Sequence, residues 1–260
     1  IYKSILEKPS IHIQLKNQNL ISNINIKYIR TSKTSICLKG DSNISKINGY
    51  KEGYWWIQDI ASAGPIKLLG DIKEKKVIDL CCAPGSKTFQ LLNGGAKVTS
   101  YDISLKRINI MKENLNRLKY DHNINHLDIL KIKSSIKYEV VLLDAPCSAT
   151  GTLKRNPEII YRNNGPKIEN LVNLQYKMLV KASELVDLNG ILLYVVCSIF
   201  DSEGNNQIKK FLKNNKNFKI SKFNKVKEVY YNKLLTKDGF FQSFPFNYKE
   251  LGGFDGFFAA

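Results

Sequence analysis

The sequence predicts an α/β fold in which a largely parallel β-sheet is covered by helices on both faces. From Gln58 onwards, short apolar runs alternate with segments that have helical spacing, as is typical of βαβ units. Residues 140–143 and 191–196 are continuously apolar, as expected for strands that are buried on both faces. Several of the runs end in an acid or a cysteine. The predicted strands are residues 76–80, 97–101, 140–143 and 191–196.

Helical patterns fill the intervals between these strands. We predict helices over residues 87–92, 105–119 and 171–187, the last with its apolar residues on one face. Gly190 follows the third pattern and is predicted to terminate it. This order of strands and helices favours a single sheet wound in both directions.

The N-terminal part of the chain has a different pattern, in which short apolar runs are separated by turn residues. Strands are expected over residues 11–15, 24–29 and 35–38. We therefore expect a small α+β subdomain over residues 1–54 and a second domain over residues 55–260. The 260 residues, of which 43% are hydrophobic, suffice for one sizeable core and an accessory domain.

The composition narrows the class of protein. A formal net charge of +17 suggests a polyanionic partner such as nucleic acid, although a lysine-rich and isoleucine-rich AT-biased sequence explains the charge equally well. The five cysteines are odd in number and lack zinc-ligand spacing, so we expect neither disulfides nor a metal site. No apolar run approaches membrane-spanning length, and a cytoplasmic, monomeric protein is expected. The chain starts at Ile1 rather than Met, so we expect a part of a longer protein.

Polar residues at the strand ends indicate a cofactor site, because ligands of such sheets bind outside the carboxyl ends of the strands. The loop after residue 80 has neither GxGxxG nor GxxxxGK[ST], which disfavours hydride transfer and nucleotide hydrolysis. Asp102 ends the next strand, 23 positions after Asp79 (102 minus 79), where a carboxylate suits a ribose diol. A ligand with a ribose but no recognised phosphate indicates S-adenosylmethionine.

Two cysteines follow separate strands, Cys147 and Cys197, fifty residues apart (197 minus 147). A thiolate adds readily to an electron-poor carbon. Addition at carbon 6 of cytosine makes carbon 5 nucleophilic enough to accept a methyl group, and a second thiol could assist release. The residues alone leave open which cysteine attacks.

Several motifs, in this order, resemble the NOL/NOP/Sun (Fmu, RsmB-type) family of RNA cytosine-5 methyltransferases. The resemblance covers most of the chain and is most specific at residues 143–152, which include Asp144-Ala145-Pro146-Cys147-Ser148, and in their continuation to residues 155–158. The other matching segments are residues 54–59, 79–88, 194–198 and 252–258. It implies a Rossmann-like class I S-adenosylmethionine-dependent methyltransferase fold with a mostly parallel seven-stranded sheet and an RRM-like N-terminal subdomain that binds RNA. The implied substrate is rRNA, most simply bacterial 16S rRNA, with tRNA as an alternative.

The resemblance also implies residue roles. Cys197 would be the nucleophile, Cys147 would assist release, and Lys87 with Asp144 would polarise the cytosine. The residues expected around the cofactor are Cys81, Cys82, Ala83, Pro84, Gly85, Ser86, Lys87, Asp102, Asp128 and Asp144. Lys154 and Arg155, next to the site, are predicted phosphate contacts.

Three departures from the family pattern accompany the match. Ser86 stands where a second glycine is usual, Val196 replaces a threonine before the nucleophile, and residues 201–205 replace a Pro-Glu-Glu-Asn segment. Two other functions are compatible with the fold. A non-catalytic ribosome-assembly factor would not bind S-adenosylmethionine, and an enzyme that methylates an exocyclic amine would leave the two thiols without a role.

Overall fold

The computed structural model of the chain describes residues 8–40, 43–133, 135–161 and 167–260. Its N-terminal part is a four-stranded antiparallel sheet with the order β2-β3-β1-β4. The strands are β1 (Ile11–Leu15), β2 (Tyr28–Arg30), β3 (Ser35–Leu38) and β4 (Trp55–Ile57). The predicted strand over 24–29 overlaps β2 only at its end, because residues 18–23 form a 3₁₀ helix. The boundary expected after residue 54 stays a prediction. Because β4 pairs with β1, this sheet extends to Ile57.

The remainder of the chain forms a seven-stranded sheet with the order β10-β11-β9-β8-β5-β6-β7. Its strands are β5 (Lys76–Leu80), β6 (Lys97–Asp102), β7 (Ile124–His126), β8 (Tyr138–Asp144), β9 (Val186–Val196), β10 (Phe241–Gln242) and β11 (Phe258–Ala259). The strands β7, β6, β5, β8 and β9 pair in parallel, whereas β11 is antiparallel to both neighbours. The predicted Rossmann-like, mostly parallel sheet is confirmed, as is the separate N-terminal sheet.

Helices cover both faces of this sheet. They are α1 (Ile60–Leu68), α2 (Ser86–Asn93), α3 (Leu105–Arg117), α4 (Ile168–Ser183), α5 (Asn205–Asn214) and α6 (Val229–Lys233). On one face, α1 and α6 pack against alternate residues of β5, β8 and β9. On the other, α4 and α5 pack against the intervening residues of the same strands. The continuous apolar runs of the sequence are therefore explained by burial on two sides.

The predicted helix over residues 171–187 is wrong at its C-terminal end, and Gly190 does not terminate it. The helix α4 ends at Ser183, and Gly190 lies within β9. The backbone N–H of Tyr138 donates to Leu185 O at 2.9 Å, so pairing with β8 begins two residues after the helix ends. Asn189, directly before this glycine, adopts the left-handed conformation (φ 60°). Within the described ranges, no helix has the length and apolarity needed to cross a membrane.

Candidate active site

The carboxyl ends of four adjacent parallel strands bring the predicted site residues to one edge of the sheet. Leu80 of β5 is level with Tyr101 of β6 and Leu143 of β8, and Asp144 is level with Val195 of β9. The segments that follow these strands therefore begin side by side. Asp128 follows β7 at the same edge and accepts a hydrogen bond from Leu130 N (3.0 Å), capping a short 3₁₀ turn.

The loop between β5 and α2 is shaped by its backbone. Cys81 and Gly85 both have φ in the left-handed region, 63° and 109°. A Cβ on Gly85 would lie 2.5 Å from Phe89 Cζ, so only glycine fits here. Ser86, by contrast, is the first residue of α2 and has no left-handed φ. Its side chain therefore does not oppose the backbone geometry of the loop.

Asp102 fastens this loop to the end of β6. Its Oδ2 accepts from Ala83 N at 2.9 Å and its Oδ1 accepts from Ser104 N at 2.8 Å, with the carboxylate almost fully buried. Each carboxylate oxygen has more than one lone pair, so both can still accept from a diol. The position is that expected for ribose recognition, and that role stays a prediction.

A second buried acid, Asp79, lies under the same loop. Its Oδ2 accepts a hydrogen bond from Thr88 Oγ1 at 2.6 Å, whereas its Oδ1 has no partner among the described residues. Burial, helped by the charges of Asp144 and Asp102, raises the pKa of Asp79 to about 7. A buried polar atom without a partner in a native fold calls for an explanation, and a bound ligand would supply one.

The two cysteines of the loop differ chemically from the two at β8 and β9. Burial and the neighbouring carboxylates raise the pKa of Cys81 and of Cys82 well above the ordinary thiol value. Both are therefore protonated at neutral pH and unsuited to nucleophilic attack. Their geometry fits lining residues.

Lys87 projects from the first turn of α2 to the end of β8. Its Nζ donates to Asp144 Oδ2 at 2.9 Å and lies 5.0 Å from the centre of the Phe257 ring. The lysine side chain is only 6% exposed, whereas the carboxylate is 31% exposed. The pair therefore presents an accessible carboxylate that is backed by a buried ammonium group.

The sulfur atoms of Cys147 and Cys197 lie 3.3 Å apart. The loops that carry them are tied together, since Gly151 N donates to Cys197 O at 3.0 Å. The hydrogen bond to Cys197, together with burial, raises the pKa of Cys147 well above that of a free thiol. Val196 packs into the hydrophobic cluster on the face of the sheet opposite to that of Cys197, so the replaced threonine position does not face the sulfur.

Arg155 forms ion pairs with two carboxylates. Its Nε donates to both oxygens of Asp255 (3.0 and 2.8 Å), and its Nη2 donates to Asp59 Oδ2 at 2.8 Å. Asp59 also pairs with His12, whose Nε2 donates to Leu251 O at 3.0 Å. Burial lowers the pKa of His12, but the hydrogen bond to Asp59 and the charge of that carboxylate, together with the contacts to Cys37 and Leu251, outweigh burial and raise the pKa to about 10. The ring is therefore an imidazolium ion with two N–H donors. The phosphate contact expected of Arg155 stays a prediction that this network does not favour, and that of Lys154, which lies beside Gly253, also stays a prediction.

Sequence reasoning missed Glu203, which has no exposed surface and accepts hydrogen bonds from the serines that follow both Cys147 and Cys197. Its only signal was an acid six residues after Cys197 (203 minus 197) within a segment that departs from the family pattern. His12, Asp59 and Asp255 were missed because their partners are distant in sequence.

A family model described as 16S rRNA methyltransferase RsmB/F matches residues 66–260. The chain belongs to this family. The Ribosomal RNA small subunit methyltransferase B of Pseudomonas putida is 34% identical over 187 residues, which are 70% of this chain and 43% of that protein. The protein of the same name from Photorhabdus laumondii is 32% identical over 234 residues, 88% of this chain and 51% of that protein. The chain thus spans about half the length of these curated relatives.

Among solved structures, NSun6 from Pyrococcus horikoshii with SFG superposes with a TM-score of 0.83 at 16% sequence identity. The superposition covers 100% of this chain and 92% of that one, so both sheets of the present fold recur there. At this identity the likeness establishes the fold alone.

Proposed function

We propose that this chain is the catalytic part of an S-adenosylmethionine-dependent RNA methyltransferase that forms 5-methylcytosine through a covalent Cys197–cytosine adduct. The observation that carries the proposal is the pair of sulfurs 3.3 Å apart at the ends of β8 and β9, next to the Lys87–Asp144 pair. A methyltransferase acting on an exocyclic amine has no use for two thiols in this place. Family membership and the names of the relatives favour 16S rRNA as the substrate.

The residues present fit S-adenosylmethionine. Asp102 would bind the ribose, the loop from Cys81 to Gly85 would lie against the cofactor, and the unpartnered Asp79 Oδ1 would gain a polar neighbour. When bound, the cofactor supplies an electrophilic methyl group on a sulfonium centre.

The two cysteines then divide the work. The thiolate of Cys197 forms a bond to carbon 6 of cytosine, which places an electron pair at carbon 5. After carbon 5 is methylated, loss of its proton reforms the ring double bond as the bond between sulfur and carbon 6 breaks. Cys147, whose sulfur lies 3.3 Å from that of Cys197, is close enough to assist this release.

Asp144 is suited to orient the base. Its carboxylate is partly exposed at the strand end and is held by the Lys87 ammonium at 2.9 Å. A carboxylate can accept a hydrogen bond from the exocyclic amine of cytosine, and the adjacent cation stabilises the charge. The cytosine must leave its stack to reach this edge, which favours a single-stranded or unfolded RNA segment.

The decisive experiment replaces each cysteine in turn and follows methyl transfer to unmodified rRNA. We expect Cys197→Ala to abolish transfer and to form no adduct, whereas Cys147→Ala should accumulate a protein–RNA adduct that survives denaturing electrophoresis. Normal transfer by the Cys197 variant would overturn the assignment. Nucleoside analysis of the product separates 5-methylcytidine from an N-methylated base, and bisulfite sequencing of rRNA and tRNA from a strain lacking the gene locates the modified cytosine.

A further inference from the structure

The buried carboxylate of Glu203 accepts four hydrogen bonds. Its Oε1 accepts from Ser148 N and from Gln175 Nε2, both at 2.9 Å. Its Oε2 accepts from the hydroxyls of Ser148 and Ser198, both at 2.5 Å. The backbone amide and the amide nitrogen of Gln175 can only donate, so Oε1 of Glu203 acts purely as an acceptor.

Three of these bonds join the two loops that carry the active-site thiols, and the fourth attaches the cluster to α4. Ser148 directly follows Cys147, and Ser198 directly follows Cys197. Gln175 Nε2 also donates to Pro146 O at 2.9 Å, so the residues on both sides of Cys147 are attached to the same cluster. The glutamate is itself fixed, because its own carbonyl accepts a hydrogen bond from Tyr194 Oη at 2.7 Å.

Burial of the Glu203 carboxylate costs free energy. A fully buried carboxylate loses its hydration, and hydrogen bonds from neutral donors recover this only when all of them are well placed. A buried charge of this kind is poor evidence for stability. Three of its four hydrogen bonds come from Ser148 and Ser198, on the two segments whose relative position sets the distance between the sulfurs, and the fourth comes from Gln175 on α4.

We infer that Glu203 is a positioning residue, which holds the sulfurs of Cys147 and Cys197 at their 3.3 Å separation by bridging the loops after β8 and β9. It contacts neither sulfur and would not contact the substrate. The assignment of a catalytic benefit rests on the proposed function, but the positioning itself can be measured on the protein alone.

Two substitutions separate the effect of side-chain length at position 203 from the effect of its charge. Glu203→Gln keeps the length of the side chain. With its oxygen toward Ser148 N and Gln175, its NH₂ can donate to the two hydroxyls, which can turn to accept. Glu203→Asp keeps the charge but is one methylene shorter, so it cannot reach both loops at once. Positioning by reach predicts that the glutamine variant retains the geometry better than the aspartate variant does.

The probe is oxidative closure of the cysteine pair. Diamide takes two protons and two electrons from the thiols and is itself reduced to the hydrazine, while a Cys147–Cys197 disulfide forms. Peptide mapping by mass spectrometry distinguishes this bond from any that involve Cys37, Cys81 or Cys82. Measuring rates between about pH 7 and 9 separates a change in thiol ionisation, which moves the profile along the pH axis, from a change in geometry, which lowers its plateau.

We expect rapid closure in the native protein and in Glu184→Gln, a control at an exposed carboxylate on the C-terminal end of α4. Glu203→Asp and Glu203→Ala should close about 10- to 100-fold more slowly, as a displacement of about 1 Å is enough to cost this much. Glu203→Gln should stay within about threefold of the native plateau. The inference would be overturned if Glu203→Asp had the same plateau closure rate as the native protein. It would also be overturned if Glu203→Gln lost the native plateau rate while Glu203→Asp kept it.

Methylation assays on the same variants keep the two proposals distinguishable. If the closure rates follow the expected order but the native protein does not methylate RNA, the positioning role stands and the proposed function fails. If methylation is present but closure is insensitive to every Glu203 variant, the positioning role fails alone. Should Glu203→Ala not fold, as judged by circular dichroism, the comparison of Asp with Gln still decides.

Discussion

The crossing of two glycine backbones, at Gly151 and Gly256, offers the sharpest test of the site architecture. Gly256 N donates to Gly151 O at 2.8 Å and Gly151 N donates to Cys197 O at 3.0 Å. A Cβ placed on Gly151 would lie 1.8 Å from Gly256 O, whereas real Cβ contacts are essentially never shorter than 3.0 Å. Gly151→Ala must therefore push the two segments apart by about 1.2 Å (3.0 minus 1.8).

The loss of stability in Gly151→Ala can be worked out from these contacts. Two backbone hydrogen bonds of about 1 kcal/mol each are weakened, and the strain of inserting the methyl group adds about 1–3 kcal/mol, which gives roughly 2–4 kcal/mol in total. For a chain of this size, that corresponds to a fall in Tm of about 5–15 °C. Methyl transfer should fall about 100-fold because Cys197 is displaced by an ångström or so.

Differential scanning calorimetry and single-turnover methyl transfer are the assays. The matched control is Gly40→Ala, where a Cβ meets nothing within 4 Å and only the left-handed φ of 78° is unfavourable. That variant should lose about 1 kcal/mol and retain its activity. If Gly151→Ala melts within about 2 °C of the native protein and transfers methyl groups at a normal rate, the crossing does not support the site.

Two further predictions concern pH and the cofactor loop. The pKa of His12 is raised from 6.5 to about 10 on folding, so its contribution to stability is complete below pH 6.5 and disappears as the pH rises through 10. The gap in Tm between the native protein and His12→Gln should therefore narrow over this window, measured beside the exposed control His126→Gln. A constant gap would refute the ionised state of the imidazole. Ser86 already has helical backbone geometry, so Ser86→Gly should not tighten S-adenosylmethionine binding in calorimetry. The same change should lower the free energy of unfolding by up to about 1 kcal/mol. Tighter binding would show that the hydroxymethyl group obstructs the cofactor.

The architecture of the sheet was predictable because burial on two faces leaves a local signal. Residues 140–143 and 191–196 are continuously apolar, and each run ends where the chemistry begins. The same local logic failed at Gly190. A glycine after an amphipathic run normally ends a helix, but pairing of Leu185 with Tyr138 ends α4 earlier.

The site was predictable as a set of strand ends but not as a network. Asp102, Asp144, Cys147 and Cys197 follow apolar runs, so topology alone brings them together. Arg155 could be recognised only as a charge near the site, because its carboxylate partners lie 96 and 100 positions away. Glu203 was not predicted for a different reason. Burial of this glutamate depends on donors from three separate segments, and no local sequence pattern indicates it.

The ion network around Arg155 also dictates when the site can exist. His12, Asp59, Arg155 and Asp255 come from the N-terminal sheet, the start of α1, the loop after Cys147 and the segment before β11. The longest link, from His12 to Leu251, spans 239 residues. Contacts of such separation form late, because closing long loops is entropically costly before other contacts repay it. Both sheets must therefore be docked before Arg155 is anchored, so the complete site exists only in the complete fold.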